Sequence, residues 1–394
     1  MISVEEAHAR LMELFAPLGP EMIPIARASG RVLAEDQFAR RTQPPFPSSA
    51  MDGYAVRAED AQVGARLRVV GESAAGQRYD KPLAPGEAAR IFTGAPVPDG
   101  ADRVVIQEET EREGDTVILR QAADPGQNIR PAGVDFAEGA RVSALRRLGP
   151  ADLALLAAMN IAELPVARKP IIAIIATGDE LVLPGEEPGP DQIVASNHFA
   201  LKAMFETHGA EVRVLPIAHD TPESLAACFA LAAGADLIVT IGGASVGDHD
   251  LVQSTAVSKG LELEFYKVAI RPGKPLMAGR LGGTPLVGLP GNPVSAIVCG
   301  KLFLLPAIER MLGLPGELPP TLPARLDKPL GTNGPRQHYM RARVVAGGDG
   351  WVCTPFDRQD SSLLSVLAEA NALLVRPAGD STQETGALVE FMWL

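Results

Sequence analysis

Between Ile171 and Leu312 the chain alternates short apolar runs with helix-length segments, and this restricts the fold more than any other feature. Strand candidates Ile171 to Ala176, Val212 to Ile217, Leu237 to Ile241, Leu263 to Val268 and Leu286 to Gly288 are separated by helix candidates Ser196 to His208, Pro222 to Ala233 and Leu251 to Lys259. Val294 to Leu312 closes the series. Crossovers of this length join strands running in the same direction, so the region is expected to form a parallel sheet with helices on both faces, a three-layer arrangement.

The flanks read differently. Ser3 and Glu6 have capping-box spacing, and Val4, Ala7, Leu11, Leu14, Phe15 and Leu18 share one face, so a helix is expected over Ser3 to Leu18. From Gln43 to Pro131 short β-like runs such as Leu67 to Val70, Arg103 to Gln107 and Thr116 to Leu119 alternate with Pro/Gly turns, and Asp152 to Asn160 is helical again. A β-rich unit inserted into a mixed helical domain follows. After the linker at Gly313 to Pro323 only short strand candidates remain, Tyr339 to Val345, Trp351 to Thr354 and Leu388 to Trp393. The expectation is an α/β multidomain protein: a discontinuous N-terminal mixed helical domain (1–42 and 135–168), an inserted β-rich domain (43–134), the parallel-sheet domain (169–318) and a small C-terminal β domain (319–394).

Composition removes several classes of function. With 36 Lys and Arg against 48 Asp and Glu, the formal charge of −12 disfavours a non-specific nucleic-acid binder, while leaving room for a local basic pocket. Three cysteines without a CxxC pair, and six scattered histidines without an HxxxH or HExxH pair, support neither a disulfide framework nor a zinc site. A reducing, cytoplasmic setting fits, and the N-terminus lacks the pattern of a signal peptide. The uncharged stretch between Arg280 and Lys301 is long enough to span a membrane, but Pro285, Pro290, Pro293 and its glycines would break a lipid-exposed helix, so no span is expected.

In an open parallel sheet ligands bind beyond the carboxyl ends of the strands, and here those segments are polar. They are Thr177-Gly-Asp-Glu180, His219-Asp220, Gly242 to Asp250, Lys267 with Arg271-Pro-Gly-Lys-Pro275, and Leu289 to Ser295. Gly242, Gly243 and Gly247 with Ser245 can cradle a phosphate or form a tight turn feeding a helix. The two cations of the Arg271 to Lys274 turn, near Lys267, suit an oxyanion better than a solvated loop. Glu180, Asp220 and Asp250 are oxygen ligands enough for Mg2+, although Asp220 also has the spacing of a helix N-cap, and Asp179 carries less weight as a turn residue. Pro290 and Pro293 flank Gly291-Asn292 and rigidify the approach to the last helix. In the β-rich insert, Asp52-Gly53 and Thr93-Gly94 read singly as turns.

Taken together, Ser49 to Tyr54, Ile91 to Pro98, Gln127 to Arg130, Thr177 to Leu181, Gly242 to Asp250, Arg271 to Pro275 and Gly288 to Ser295 resemble the molybdopterin molybdenumtransferase family, the MoeA and gephyrin E-domain proteins, over nearly the whole chain. The resemblance implies an elongated N-terminal domain, a molybdopterin-binding sheet domain, a C-terminal β-barrel, and a homodimer whose active clefts are shared between subunits. It implies Mg2+-dependent cleavage of adenylated molybdopterin, with molybdate as second substrate and release of AMP. It carries function onto Asp52, Thr93, Asp135, Glu180, Asp220 and Asp250, and onto Lys267, Arg271 and Lys274; Asp135 comes from the resemblance alone. Partners implied are adenylated molybdopterin, molybdate, a second copy of the chain, the molybdopterin adenylyltransferase and downstream molybdoenzymes. Adenylyltransferase-like activity and a non-catalytic scaffold role on the same fold are the alternatives. Arg271 stands where many members have lysine, Ala244 where many have valine, Asp248-His249 where many have Glu-Ala, and Gln359-Asp-Ser-Ser362 where a Gln-x-Ser-His-like segment is expected.

Overall fold

The computed structural model describes residues 1–121, 127–243 and 251–394. The chain forms two compact units, one of Met1–Glu21 with Val166–Leu394 and one of Met22–Pro165.

The larger unit is organised by a six-stranded sheet. Its strands are β1 (Ile171–Ala176), β2 (Glu211–Val214), β3 (Leu237–Ile241), β4 (Leu261–Tyr266), β5 (Met277–Leu281) and β6 (Thr284–Leu289), in the spatial order β2-β1-β3-β6-β5-β4. The first four in that order are parallel, β5 runs antiparallel to β6, and β4, antiparallel to β5, points the same way as the first four. This refines the expectation of a purely parallel sheet. Met277 to Leu281 was absent from the sequence reading because Gly282-Gly283 joins it to β6 in a tight hairpin, and β4 becomes an antiparallel edge strand. The central β1 and β3 are buried almost throughout, as continuous Ile/Val runs covered on both faces require.

Helices α1 (Asn197–Thr207), α2 (Pro222–Leu231), α3 (Leu251–Ser258) and α4 (Pro293–Cys299) connect or follow the strands. One face of the sheet packs Ala173, Ile175 and Ile238 against Leu225, Cys228 and Val252. After α4 the helix widens to a π-turn at Gly300–Leu304 before resuming over Leu305–Met311. At Gly300 a Cβ would lie 2.7 Å from Leu201 Cδ2, so glycine lets α1 approach there. The N-terminal helix spans Val4–Met12 and stops short of the expected Leu18. Leu14 and Phe15 are still buried, but in a turn, and the Leu18 amide donates to Met311 O instead of continuing the helix. Ser3 Oγ accepts from the Glu6 amide at 3.1 Å, while the Glu6 carboxylate turns away to Arg10 at 2.6 Å, leaving half a capping box.

The C-terminal strands Leu322–Leu326, Gln337–Gly347, Gly350–Pro355, Ala372–Arg376 and Leu388–Trp393 close on themselves as a five-stranded barrel around Ala342, Val344, Leu374 and Phe391. A two-residue strand, Ile270–Arg271, adds in parallel to the barrel edge, pairing Arg271 with His338.

The smaller unit contains a six-stranded sheet in the order Arg103–Ile106, Gly53–Val56, Glu87–Ile91, Arg66–Ser73, Thr116–Leu119, Thr110–Glu113. Segments on either side of it in sequence pair with one another, Val32–Leu33 with Arg146–Arg147 and Gln37–Phe38 with Arg141–Val142. The six-stranded sheet thus lies, in sequence, between segments that pair with each other. Among the described residues no helix is long and apolar enough to cross a membrane.

Candidate active site

The chain leaves β1 toward β2 on one side and reaches β3 on the other, so the loops after β1 and β3 part at a topological switch point. A cavity of about 910 Å³ opens there, between the carboxyl edge of the sheet and the barrel. Glycine makes the loops fit. At Gly178 a φ of +144° favours glycine, and a Cβ there would lie 2.3 Å from Glu180 Oε2 and displace the carboxylate. At Gly243, with φ of +64°, a Cβ would lie 2.2 Å from Val252 Cγ2 and 3.1 Å from Thr177 Oγ1.

Glu180 and Asp220 both line this cavity. Asp220 does not cap α2. That role falls to Thr221, whose side chain accepts from the Ser224 amide at 3.2 Å, leaving the Asp220 carboxylate available. Asp179 does the positioning: its Oδ1 accepts from His219 Nδ1 at 2.9 Å and from the Asp220 amide at 3.3 Å, tying the loop after β1 to the loop after β2. Gly242, Gly243, Arg271, Lys274, Pro290 and Pro293 line the same space. Ser245, Gly247 and Asp250 lie outside the described residues.

Lys267 is not in the lining. It adopts a φ of +69° between β4 and the Arg271 turn, and its ammonium sits 4.6 Å from the Tyr266 ring centroid, a cation–π contact.

The barrel adds Arg336, which carries no sequence signal, and places the Gln359 to Ser362 segment in the same cavity. Arg336, Gln359, Asp360, Ser361 and Ser362 line the cavity opposite the sheet loops, with Asn197 and Asn292 at its edge. Asn292 Nδ2 donates to Ser361 Oγ at 3.0 Å, and the Val294 amide donates to Ser361 O at 3.0 Å. Asp360 Oδ1 accepts from the side chain and amide of Ser362, and these bonds hold its carboxyl below the usual range, with Arg341 and Arg358 assisting. The same end is dense in cations. His338 is pushed down to about 3, first by burial and then by the charges of Arg271, Arg341, Arg376 and Arg336.

In the smaller unit, Asp52 precedes strand Gly53–Val56 and Thr93 follows strand Glu87–Ile91, which pair with Gly53 opposite Ile91. That register brings the two residues together: Asp52 Oδ1 accepts from the Thr93 amide and hydroxyl, both at 2.7 Å. The amide bond, then the hydroxyl bond, hold the Asp52 carboxyl below its ordinary range, with Arg90 adding a smaller attraction. Gly53 is required here because a Cβ would lie 1.9 Å from Val105 O. Asp135 is exposed, its amide donating to Gln43 O at 3.2 Å.

Glu180 and Asp220 are exposed oxygen donors on one cavity wall, and among the described residues no cluster of three or more His, Cys, Asp or Glu side chains could hold a metal by itself. This suits Mg2+, which takes one or two protein carboxylates and completes its shell with water and substrate phosphates. Carboxylates together with guanidinium and ammonium groups in one lining can hold a phosphate-bearing substrate beside a second, smaller anion.

Fold and cavity define a multidomain α/β protein with a cavity lined by charged residues at the switch point of its sheet. Residues 2–160 match the family description MoeA N-terminal region (domain I and II), residues 173–310 probable molybdopterin binding domain, and residues 323–394 MoeA C-terminal region (domain IV). The chain is 38% identical to molybdopterin molybdenumtransferase 2 of Mycobacterium tuberculosis over 96% of each chain, and 36% identical to the molybdopterin molybdenumtransferase of Nostoc over 93% of this chain and 87% of that one. It is similar to the crystal structure of the molybdopterin biosynthesis MoeA protein of Pyrococcus horikoshii, with a TM-score of 0.85 and 33% identity over 100% of this chain and 99% of that chain. The chain belongs to the molybdopterin molybdenumtransferase family.

Proposed function

We propose that this protein is a molybdopterin molybdenumtransferase that inserts molybdenum into adenylated molybdopterin, cleaving the adenylate and releasing AMP. The observation that carries the reading is the single cavity joining Glu180 and Asp220 to Arg271 and Lys274. Glu180 and Asp220, with Asp250 from outside the described residues, would hold Mg2+, which when bound supplies neutralisation of the pyrophosphate. Gly242 and Gly243 bring bare backbone to the phosphate, as Ser245 and Gly247 would beyond them. Arg271 and Lys274, with Arg336 facing them, collect the molybdate and stabilise the charge that develops during transfer. Pro290 and Pro293 keep the loop between β6 and α4 from collapsing into the space. Asp52, Thr93 and Asp135 complete the reaction site from a second subunit of a homodimer.

The test is incubation of purified protein with adenylated molybdopterin, Mg2+ and molybdate. Stoichiometric AMP and molybdenum-loaded pterin are expected, and absence of both refutes the assignment. Asp220→Ala should lower turnover by at least about 100-fold with an unchanged circular dichroism spectrum; wild-type turnover in that variant would remove Asp220 from the mechanism.

A further inference from the structure

One wall of the cavity is apolar. Leu181–Val182 and Ile193–Val194 form a two-stranded parallel ribbon, with Leu181 opposite Ile193 and Val182 opposite Val194. It is anchored at the carboxylate end, where the Ile193 amide donates to Glu180 O at 2.7 Å and the Ala195 amide to Val182 O at 2.9 Å. Leu181, Ile193 and Val194 line the cavity, yet Ile193 is 59% and Val194 43% exposed. A two-stranded ribbon has little stability of its own, so branched side chains left in water there gain by being covered.

Where the ribbon ends, α1 begins and His198 joins the same lining. Its side chain is nearly inaccessible at 2% exposure, and its Nδ1 has no hydrogen-bond partner. Burial lowers its pKa, so the imidazole is neutral and can both donate and accept. A buried nitrogen left unpaired is costly, and a ligand atom would satisfy it.

We propose that this shelf and His198 form a subsite for a planar, fused nitrogen heterocycle carried by the phosphate-bearing substrate. The inference rests on the proposed function, since it assumes that the phosphate lies at Gly242–Gly243 and the carboxylates. The shelf starts one residue after Glu180, within reach of a ring joined by a few bonds to a phosphate held there. A flat ring stacked on Leu181 and Ile193, which lie opposite each other and share one face of the ribbon, removes water from both surfaces and turns its edge to His198; a free oxyanion gains nothing from an aliphatic wall. Two rings of the substrate share this chemistry, the purine of the adenylate and the pterin.

Calorimetric titrations of AMP, ribose 5-phosphate and a free pterin into the full-length protein and its Ile193→Ser variant distinguish them. Ile193 is exposed, so the substitution empties no core. The affinity for AMP or for the pterin should fall roughly tenfold, with ribose 5-phosphate unchanged. Loss for AMP alone assigns the shelf to the purine, and loss for the pterin alone assigns it to the pterin. His198→Phe should weaken the same ligand, and unchanged affinity in that variant removes His198 from the subsite. Full retention of both rings by the shelf variant, equal loss of ribose 5-phosphate, or no binding of either ring by the wild type overturns the proposal. Turnover by the wild type, followed in parallel, fails on its own if the proposed function is wrong, whatever the ring titrations give.

Discussion

Gly178 and His338 show how single residues set this cavity. At Gly178 the backbone takes a φ of +144° that favours glycine, and the Glu180 carboxylate rests in the space beside it. His338 places a neutral ring among cations. It lies opposite Arg271 in the edge pairing and opposite Arg376 across the barrel, and Arg376 is held by Asp380 and by the Gly331 and Ser381 carbonyls. In the folded protein His338 remains neutral until about pH 3, whereas unfolded histidine takes up a proton near pH 6.5. Between these values the unfolded state binds the extra proton, so stability is fully present above pH 6.5 and is lost as pH falls, by up to about 1.4 kcal/mol per pH unit. His338→Gln should flatten this dependence. Denaturant midpoints measured between pH 7 and pH 4 would show it, and parallel pH profiles for wild type and variant would refute the assignment.

Among elements, the turn from Phe356 to Leu363 does the most to complete the cavity. Buried Arg341, on barrel strand Gln337–Gly347, donates from Nη2 to Asp360 O at 2.8 Å and to Arg358 O at 3.3 Å. Gln359 closes the arrangement, accepting from the Arg341 amide at 3.0 Å and donating to Arg341 O and Phe356 O. These bonds aim Ser361 and Ser362 at the cavity. Arg341→Met leaves the two carbonyls unpaired and should cost about 2–3 kcal/mol, and it should raise KM for molybdate more than it lowers kcat. Arg341→Lys should recover part of both losses. Thermal unfolding with steady-state kinetics checks this, and an unchanged KM would show that the turn needs no such support.

The loop after β1 and the Gly242–Gly243 end of β3 were legible in sequence because continuous apolar runs mark buried parallel strands and the crevice follows from topology. The Phe356 to Leu363 turn was legible only as the Gln359 to Ser362 departure from the family pattern, and Arg336 not at all. Both lie far from the sheet loops in sequence, and they reach the cavity through the barrel's pairing with Ile270–Arg271 and the Asn292–Ser361 bond. Lys267 adds a feature that sequence does not show: a left-handed backbone sets its side chain against Tyr266, apart from the Arg271 and Lys274 lining.

At the scale of the whole molecule, the proposed homodimer makes a prediction that no single-subunit site shares. Asp52→Ala and Asp220→Ala should each be inactive alone. Co-expressed with different affinity tags and purified as the mixed dimer, they should recover about one quarter to one half of wild-type activity, because one of the two sites then carries both native residues. No recovery in the isolated mixed species would place all the reacting groups in one subunit.

The sequence by itself determined the strand and helix alternation, the β-rich stretch and the carboxylate and glycine loops, since burial periodicity and φ requirements act over a few neighbouring residues. Only the tertiary structure decided which polar groups share a cavity. Asp52 meets Thr93 through strand register, Thr221 rather than Asp220 caps its helix, and the barrel contributes Arg336 and Ser361. Those outcomes depend on contacts between residues distant in the chain, where side-chain direction and hydrogen-bond competition leave no periodic trace.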